Sequence, residues 1–128
     1  MGKYILYVEN QEPLQNPGVA EISNGLDMLD GNLCTLMQLT CIGKGTLMAI
    51  GGNSTRTMVT FIPENMEADS PSLVDPTANP FEEYGLTFEG ESMLYSAKYC
   101  VSKKFALRAF DSFLSLGDLD RQMIWQLA

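Results

Sequence analysis

The sequence predicts an α+β fold: a mostly antiparallel sheet of five to seven strands with two helices packed on one face, in a single domain of residues 1–128. Short β-rich runs separated by glycine turns predict the strands. Two other segments repeat apolar residues at helical spacing and predict the helices. The residues are Val19, Ile22, Leu26 and Leu29 in the first helix, and Phe105, Ala106, Ala109, Phe110, Phe113 and Leu114 in the second.

The first predicted elements are a strand over residues 4–8 and a helix over residues 17–30. Asn16 is suited to cap this helix, and Pro17 is suited to its first position. Gly31 offers a stop.

A three-stranded meander follows, with strands over residues 33–42, 46–50 and 57–62. The glycine-rich segments 43–45 and 51–54 supply the reversals, so we expect the strands to pair in sequence order.

Four prolines interrupt residues 63–80, which we expect to form a long loop. A hairpin around Gly90 is predicted next, from residues 86–89 and 92–97. Ser102 can cap the second helix, which runs to residue 116 before Gly117 ends it. A last strand over residues 121–127 carries Trp125, which we expect in the core.

The chain is acidic, with 16 Asp and Glu, 8 Lys and Arg, no histidine and a formal charge of −8. This charge argues against nucleic acid and membrane partners, since both are anionic. It favours a basic protein partner. The three cysteines lie among apolar neighbours without metal-binding spacing, and we expect buried free thiols in a reducing cytoplasm. The apolar N-terminal run is too short for a signal peptide or a membrane span.

No catalytic, metal or cofactor site is predicted. Without histidine, a Ser-His or Cys-His couple and a histidine-anchored zinc site are ruled out. Glu82 and Glu83 would point to opposite faces of a strand, and Glu89 and Glu91 flank a turn glycine. Residues 43–46 depart from the phosphate-loop pattern and predict a hairpin turn. We therefore expect a non-enzymatic protein.

Half of the acids lie between Arg56 and Lys98, a stretch without basic residues. This acidic block, together with Tyr84 and Phe81, has the composition of a binding surface for a basic partner. The alternative is a solvated loop whose charge only maintains solubility. The predicted partner-binding residues are Glu64, Glu67, Asp69, Asp75, Glu82, Glu83, Tyr84, Glu89 and Glu91.

Two groups of residues form a family-like pattern. The first is residues 47–52, Leu-Met-Ala-Ile-Gly-Gly, with Arg56 leading into Val59, Thr60 and Phe61; the second is Val101, Ser102, Ala106, Ala109, Phe110, Phe113, Leu114, Gly117, Ile124 and Trp125. Together they resemble the Imm1 family of immunity proteins from bacterial polymorphic toxin systems. The resemblance covers about residues 47 to 127.

The resemblance implies a bacterial protein that is encoded beside a toxin, often a nucleic-acid-targeting deaminase or nuclease, and that neutralises it by occluding its active or substrate-binding site. It implies no catalytic residues. We therefore predict an immunity protein whose partner is a basic toxin domain. One alternative is a non-catalytic adaptor for another basic protein. Another is an enzyme that uses carboxylates or a small-molecule pocket, which would require converging acids.

Overall fold

The structure, a computed structural model, describes residues 3–65 and 67–128. Two α-helices lie among ten strands in these residues. The helices are α1 (Val19–Met28) and α2 (Lys103–Leu116). The strands are β1 (Tyr4–Val8), β2 (Leu14–Gln15), β3 (Leu36–Cys41), β4 (Gly45–Gly51), β5 (Arg56–Pro63), β6 (Ser72–Val74), β7 (Glu83–Phe88), β8 (Glu91–Ser96), β9 (Val101–Ser102) and β10 (Ile124–Gln126).

Eight strands form one sheet in the order β10-β6-β5-β4-β3-β1-β2, and β9 pairs with the start of β5. All these pairs are antiparallel, which confirms the α+β prediction. The strand number exceeds five to seven because β2 and β9, each two residues long, also join the sheet. Strands β3, β4 and β5 pair in sequence order, as predicted for the meander.

Both helices lie on one face of this sheet, as expected. Met37, Leu39 and Cys41 alternate along β3 and pack in the same cluster as the apolar residues of the helices. Phe110 and Phe113 of α2 are fully buried there. The ring of Phe113 meets the rings of Tyr4 and Phe61 edge to face, with centroids 6.2 and 5.8 Å away.

The opposite face of the sheet is partly covered by β7 and β8, which form a separate two-stranded sheet. Leu86 of β7 is buried against a second apolar cluster that contains Leu36, Ile50 and Met58. The hairpin predicted around Gly90 therefore exists, and it forms a third layer of the molecule.

Helix α1 begins at Val19, two residues later than predicted. Asn16 does not cap it, because its Oδ1 accepts the backbone N–H of Tyr4 at 3.2 Å. Gly18 is the N-cap, and its N–H donates to the carboxylate of Glu21 at 2.9 Å. The helix ends at Met28, before the predicted end at residue 30.

The predicted loop over residues 63–80 contains a strand, β6, and that part of the prediction is wrong. Its three residues are buried between β5 and β10, with which they pair. Pro71 and Pro76 flank this strand without interrupting it. Such a short strand is stabilised by its two neighbours and not by a local pattern.

Helix α2 begins and ends where the sequence predicts. The Ser102 hydroxyl accepts the N–H of Phe105 at 3.1 Å, and Gly117 ends α2 in the left-handed conformation. The last strand is shorter than expected. Trp125 is half-buried at the edge of the helix-side cluster and donates to the carbonyl of Asp120 at 3.1 Å.

The three cysteines are free and buried, as predicted. None of the helices described within residues 3–65 and 67–128 is long and apolar enough to cross a membrane.

Candidate protein-binding surface

Strands β7 and β8 are joined by a two-residue turn. Glu89 and Gly90 have φ values of 50° and 84°, and two consecutive left-handed residues are typical of tight hairpins. The register pairs Phe88 with Glu91 beside the turn and Glu83 with Ser96 at the base. We call residues 81–96 the acidic hairpin.

One edge of the acidic hairpin is fastened to the main sheet by side chains. Asn53 accepts the N–H of Thr87 at 2.9 Å and donates to its hydroxyl at 3.0 Å. The N–H of Glu89 donates to the hydroxyl of Thr35 at 3.0 Å. Glu9 in turn accepts from the N–H and hydroxyl of Thr35. These bonds fix the hairpin on the sheet at its tip and at Thr87, one residue before the end of β7.

The base of the hairpin rests on Arg56. The guanidinium carbon of Arg56 lies 4.3 Å from the centre of the Tyr84 ring, an arrangement that favours cation–π attraction. Arg56 also donates to the carbonyl of Cys100 at 3.1 Å. The Tyr84 hydroxyl donates to Glu82 at 3.2 Å. Tyr84, predicted as a partner-binding residue, is therefore half-buried and helps to hold the hairpin in place.

The acidic hairpin exposes four carboxylates, from Glu82 and Glu83 at the base and Glu89 and Glu91 at the tip. Within the described residues none of them forms a salt bridge; the two ion pairs join Arg108 to Asp120 and Arg121 to Asp118. These four carboxylates therefore present unneutralised charge to solvent.

Three large apolar side chains of the acidic hairpin are also exposed, and Met93 and Leu94, adjacent in β8, lie on its opposite faces. Phe81 is 93% exposed, Leu94 67% and Met93 59%. Phe81 was singled out in the sequence, whereas Met93 and Leu94 were missed because an apolar pair within a strand indicates burial. Leu94 pairs with Gly85, where a Cβ would meet no atom within 4 Å. No local signal marks its exposure, because a strand residue is buried only where another layer covers it. Exposed apolar residues surrounded by charge are typical of protein-binding surfaces.

The remaining acids of the block lie elsewhere. Glu64 accepts the N–H of Gly43 at 2.7 Å, at the turn between β3 and β4. The tip of the hairpin contacts Thr35, which directly precedes the other end of β3. At the rise per residue of an extended strand, Glu64 and the tip of the hairpin are therefore about 25 Å apart. Glu67 and Asp69 are exposed in the loop that follows Glu64. The fold thus separates these three acids from the four acids of the hairpin.

Asp75 follows β6, and its carboxylate is engaged locally. It accepts the N–H of Thr77 at 2.9 Å and the Thr77 hydroxyl at 2.7 Å. Its own N–H donates to the carbonyl of Lys98 at 2.8 Å. These contacts give Asp75 a role in the turn after β6.

The basic residues of α2 lie on the helix side of the sheet. Lys103 is half-buried and donates to the carbonyls of Leu29 at 2.7 Å and Asp27 at 3.3 Å, at the end of α1. Lys104 is exposed and makes no such contact within the described chain. The acidic hairpin and these cations therefore lie on opposite sides of the molecule.

Residues 42–44 form the turn between β3 and β4, one residue earlier than predicted, and a strand follows directly, as predicted. The N–H of Gly43, which a phosphate would need, is used by Glu64. Across residues 3–65 and 67–128, no group of three or more Cys, Asp or Glu side chains is placed to hold a metal ion.

No protein-family model matches the chain, and a search of curated proteins finds no significant match.

Proposed function

We propose that this chain is a bacterial cytoplasmic immunity protein that binds a basic toxin domain through the acidic hairpin and neutralises it without catalysis. The observation that carries the proposal is the combination of four exposed carboxylates that form no ion pair within the described residues with exposed Phe81, Met93 and Leu94 on one anchored hairpin. Apolar contacts supply binding energy and the surrounding charge supplies orientation.

The charge of the hairpin suits a toxin that acts on nucleic acid. Such an enzyme needs a basic surface for the phosphate backbone. An acidic protein can occupy that surface and block the substrate, and long-range attraction speeds the encounter. The net charge of −8 supports the same partner class.

The resemblance to the Imm1 family supports the proposal from a different direction. Its residues are structural in this fold: Gly51 and Gly52 make the turn after β4, and Phe110 and Phe113 fill the core beneath α2. They specify the framework that holds the hairpin and carry no reactive group.

The proposal is tested by co-expressing the chain with the toxin domain of a neighbouring gene and measuring cell survival and binding kinetics. Glu83→Gln/Glu91→Gln removes two carboxylates that make no side-chain hydrogen bond within the described residues. We expect association to slow by about three- to tenfold at low salt, with a smaller effect at high salt. The matched control, Glu67→Gln/Asp69→Asn, makes the same charge change on the distant loop and should leave the rate nearly unchanged.

Equal slowing by the two double variants would contradict the acidic hairpin as the binding surface. A toxic neighbour that kills cells regardless of this chain would contradict immunity. A basic partner without toxicity would favour the adaptor alternative.

A further inference from the structure

The two edges of the acidic hairpin differ in how they are covered. Because Phe88 and Glu91 flank a two-residue turn, they form a hydrogen-bonded pair, and such pairs alternate along the hairpin. The bond from the N–H of Ala97 to the carbonyl of Glu82, at 2.8 Å, fits this alternation. In β8, Glu91, Met93 and Tyr95 therefore bond to β7. Ser92, Leu94 and Ser96 direct their backbone groups to the outer edge.

Strand β7 lies against β4, β5 and the 3₁₀ turn of Asn53, which takes the outward N–H of Thr87. Glu89, in the turn after β7, donates to Thr35. The outer edge of β8 pairs with no strand in the described residues. At the base of β8, the Cys100 thiol donates to the carbonyl of Ser96 at 3.6 Å. The uncovered part of the β8 edge is therefore centred on Ser92 and Leu94. An uncovered strand edge with exposed apolar side chains is a template for another strand.

We infer that β8 is the docking edge for an extended segment of the basic partner, which adds as a third strand beside it. This inference rests on the proposed function for the partner's identity. The side chains along the hairpin indicate what the partner's segment should contain. Apolar Met93 and Leu94 lie in the middle of β8. Acids lie at both ends of the hairpin, Glu89 and Glu91 at the tip and Glu82 and Glu83 at the base. A matching strand is apolar at its centre and basic at both ends.

The same charges disfavour a second copy of this chain as the occupant. Two β8 strands paired edge to edge would bring the glutamates of both copies together, and like charges across strands are destabilising. Each copy also carries a net charge of −8. Charge complementarity therefore selects a basic strand.

The docking edge is tested with the full chain and a short peptide that has lysines at both ends and alternating valine and threonine at its centre. Nuclear magnetic resonance follows the amides of Ser92 and Leu94. We expect both amides to shift and to become protected from hydrogen exchange as peptide is added. A peptide of the same length with glutamates in place of lysines should produce neither change.

The backbone contribution is isolated by a matched pair of variants. Ser92→Pro and Ser92→Ala both remove the hydroxyl that contacts Thr87 at 2.8 Å, but only proline removes the outward N–H. We expect Ser92→Pro to weaken peptide binding by about tenfold relative to Ser92→Ala, because one partner carbonyl loses its donor. Should Ser92→Pro fail to fold, the exchange measurement on the unaltered chain decides the matter.

Peptide shifts confined to the loop of Glu67 and Asp69, or equal binding by the two variants, would overturn the docking edge. Protection of Ser92 that grows with protein concentration, without peptide, would replace the basic strand with a second copy. Peptide binding at β8 in a chain that gives cells no protection would retain the docking edge and reject the immunity function.

Discussion

Asn53 holds Thr87 with two hydrogen bonds, accepting its backbone N–H at 2.9 Å and donating to its hydroxyl at 3.0 Å. The two residues are 34 positions apart in the chain. Asn53 lies in the short 3₁₀ turn before β5, so this pair fastens the hairpin to the central sheet. The presentation of the acidic surface therefore depends on an amide side chain that carries no charge.

Replacing Asn53 by alanine should leave the N–H of Thr87 without its partner. We expect a loss of about 1–3 kcal/mol in the stability of the hairpin, because an N–H that is shielded from water and lacks an acceptor destabilises the folded state. In this variant, the rate of hydrogen exchange should rise more at the Thr87 amide than at the amides of β4. Asn24→Ala, at an exposed position of α1, is the control. Unchanged exchange at Thr87 would show that the other attachments of the hairpin, at Leu86, Thr35 and Arg56, hold it without Asn53.

Phe110 is fully buried, and its replacement by alanine should lower the free energy of unfolding by about 3–5 kcal/mol because a cavity remains. Denaturant melts measure this loss. Leu116→Ala, at a position of the same helix that is 69% exposed, should change stability by less than about 0.5 kcal/mol. Similar losses for the two variants would contradict the packing of α2.

Lys103 and Lys104 should differ in their effect on stability although they are neighbours. Lys103→Met removes the ammonium that bonds the terminal carbonyls of α1, and we expect a loss of about 1 kcal/mol. Lys104→Met makes the same charge change at an exposed position and should cost little. Thermal melts of both variants test the difference. Equal melting temperatures would show that the bonds from Lys103 to the end of α1 do not stabilise the fold.

Asp120 should make the fold sensitive to acid. Its pKa is lowered because the N–H of Gln122, the hydroxyl of Ser112 and the guanidinium of Arg108 stabilise the carboxylate. The folded-state pKa is below the unfolded value, so the stabilisation is present above about pH 3.9 and is lost as the pH falls through the folded pKa. The difference in unfolding free energy between the unaltered chain and Asp120→Asn should therefore shrink with falling pH. A constant difference would contradict this linkage.

The cysteines should be unreactive in the folded protein. Burial raises the pKa of the Cys34 and Cys100 thiols, which lowers the fraction of reactive thiolate. A thiol reagent at neutral pH should label the native chain slowly, and all three cysteines after denaturation without prior reduction. Only one reactive thiol after denaturation would reveal a disulfide and contradict the predicted reducing compartment.

The sequence by itself determined the elements whose signals are local. Ser102 and Gly117 delimit α2 because a cap and a left-handed glycine act within one helical turn. The turn between β3 and β4, which contains Gly43, and the turn at Glu89 and Gly90 likewise follow from backbone preferences of the turn residues. Most of the helical contribution to the apolar core followed from spacing, since the side chains of one helical face share their surroundings. Val19 is the exception in the first helix, because it is 42% exposed.

Only the tertiary structure decided what depends on contacts between distant segments. Strand β6 exists because β5 and β10 bond to it on both sides, which no local pattern encodes. Glu64 and Glu89 lie at the two different ends of β3, and strand register decides this. An acidic block that is continuous in sequence is therefore divided in the structure. The exposure of Leu94 was decided in the same way, because a strand residue is buried only if another layer covers it.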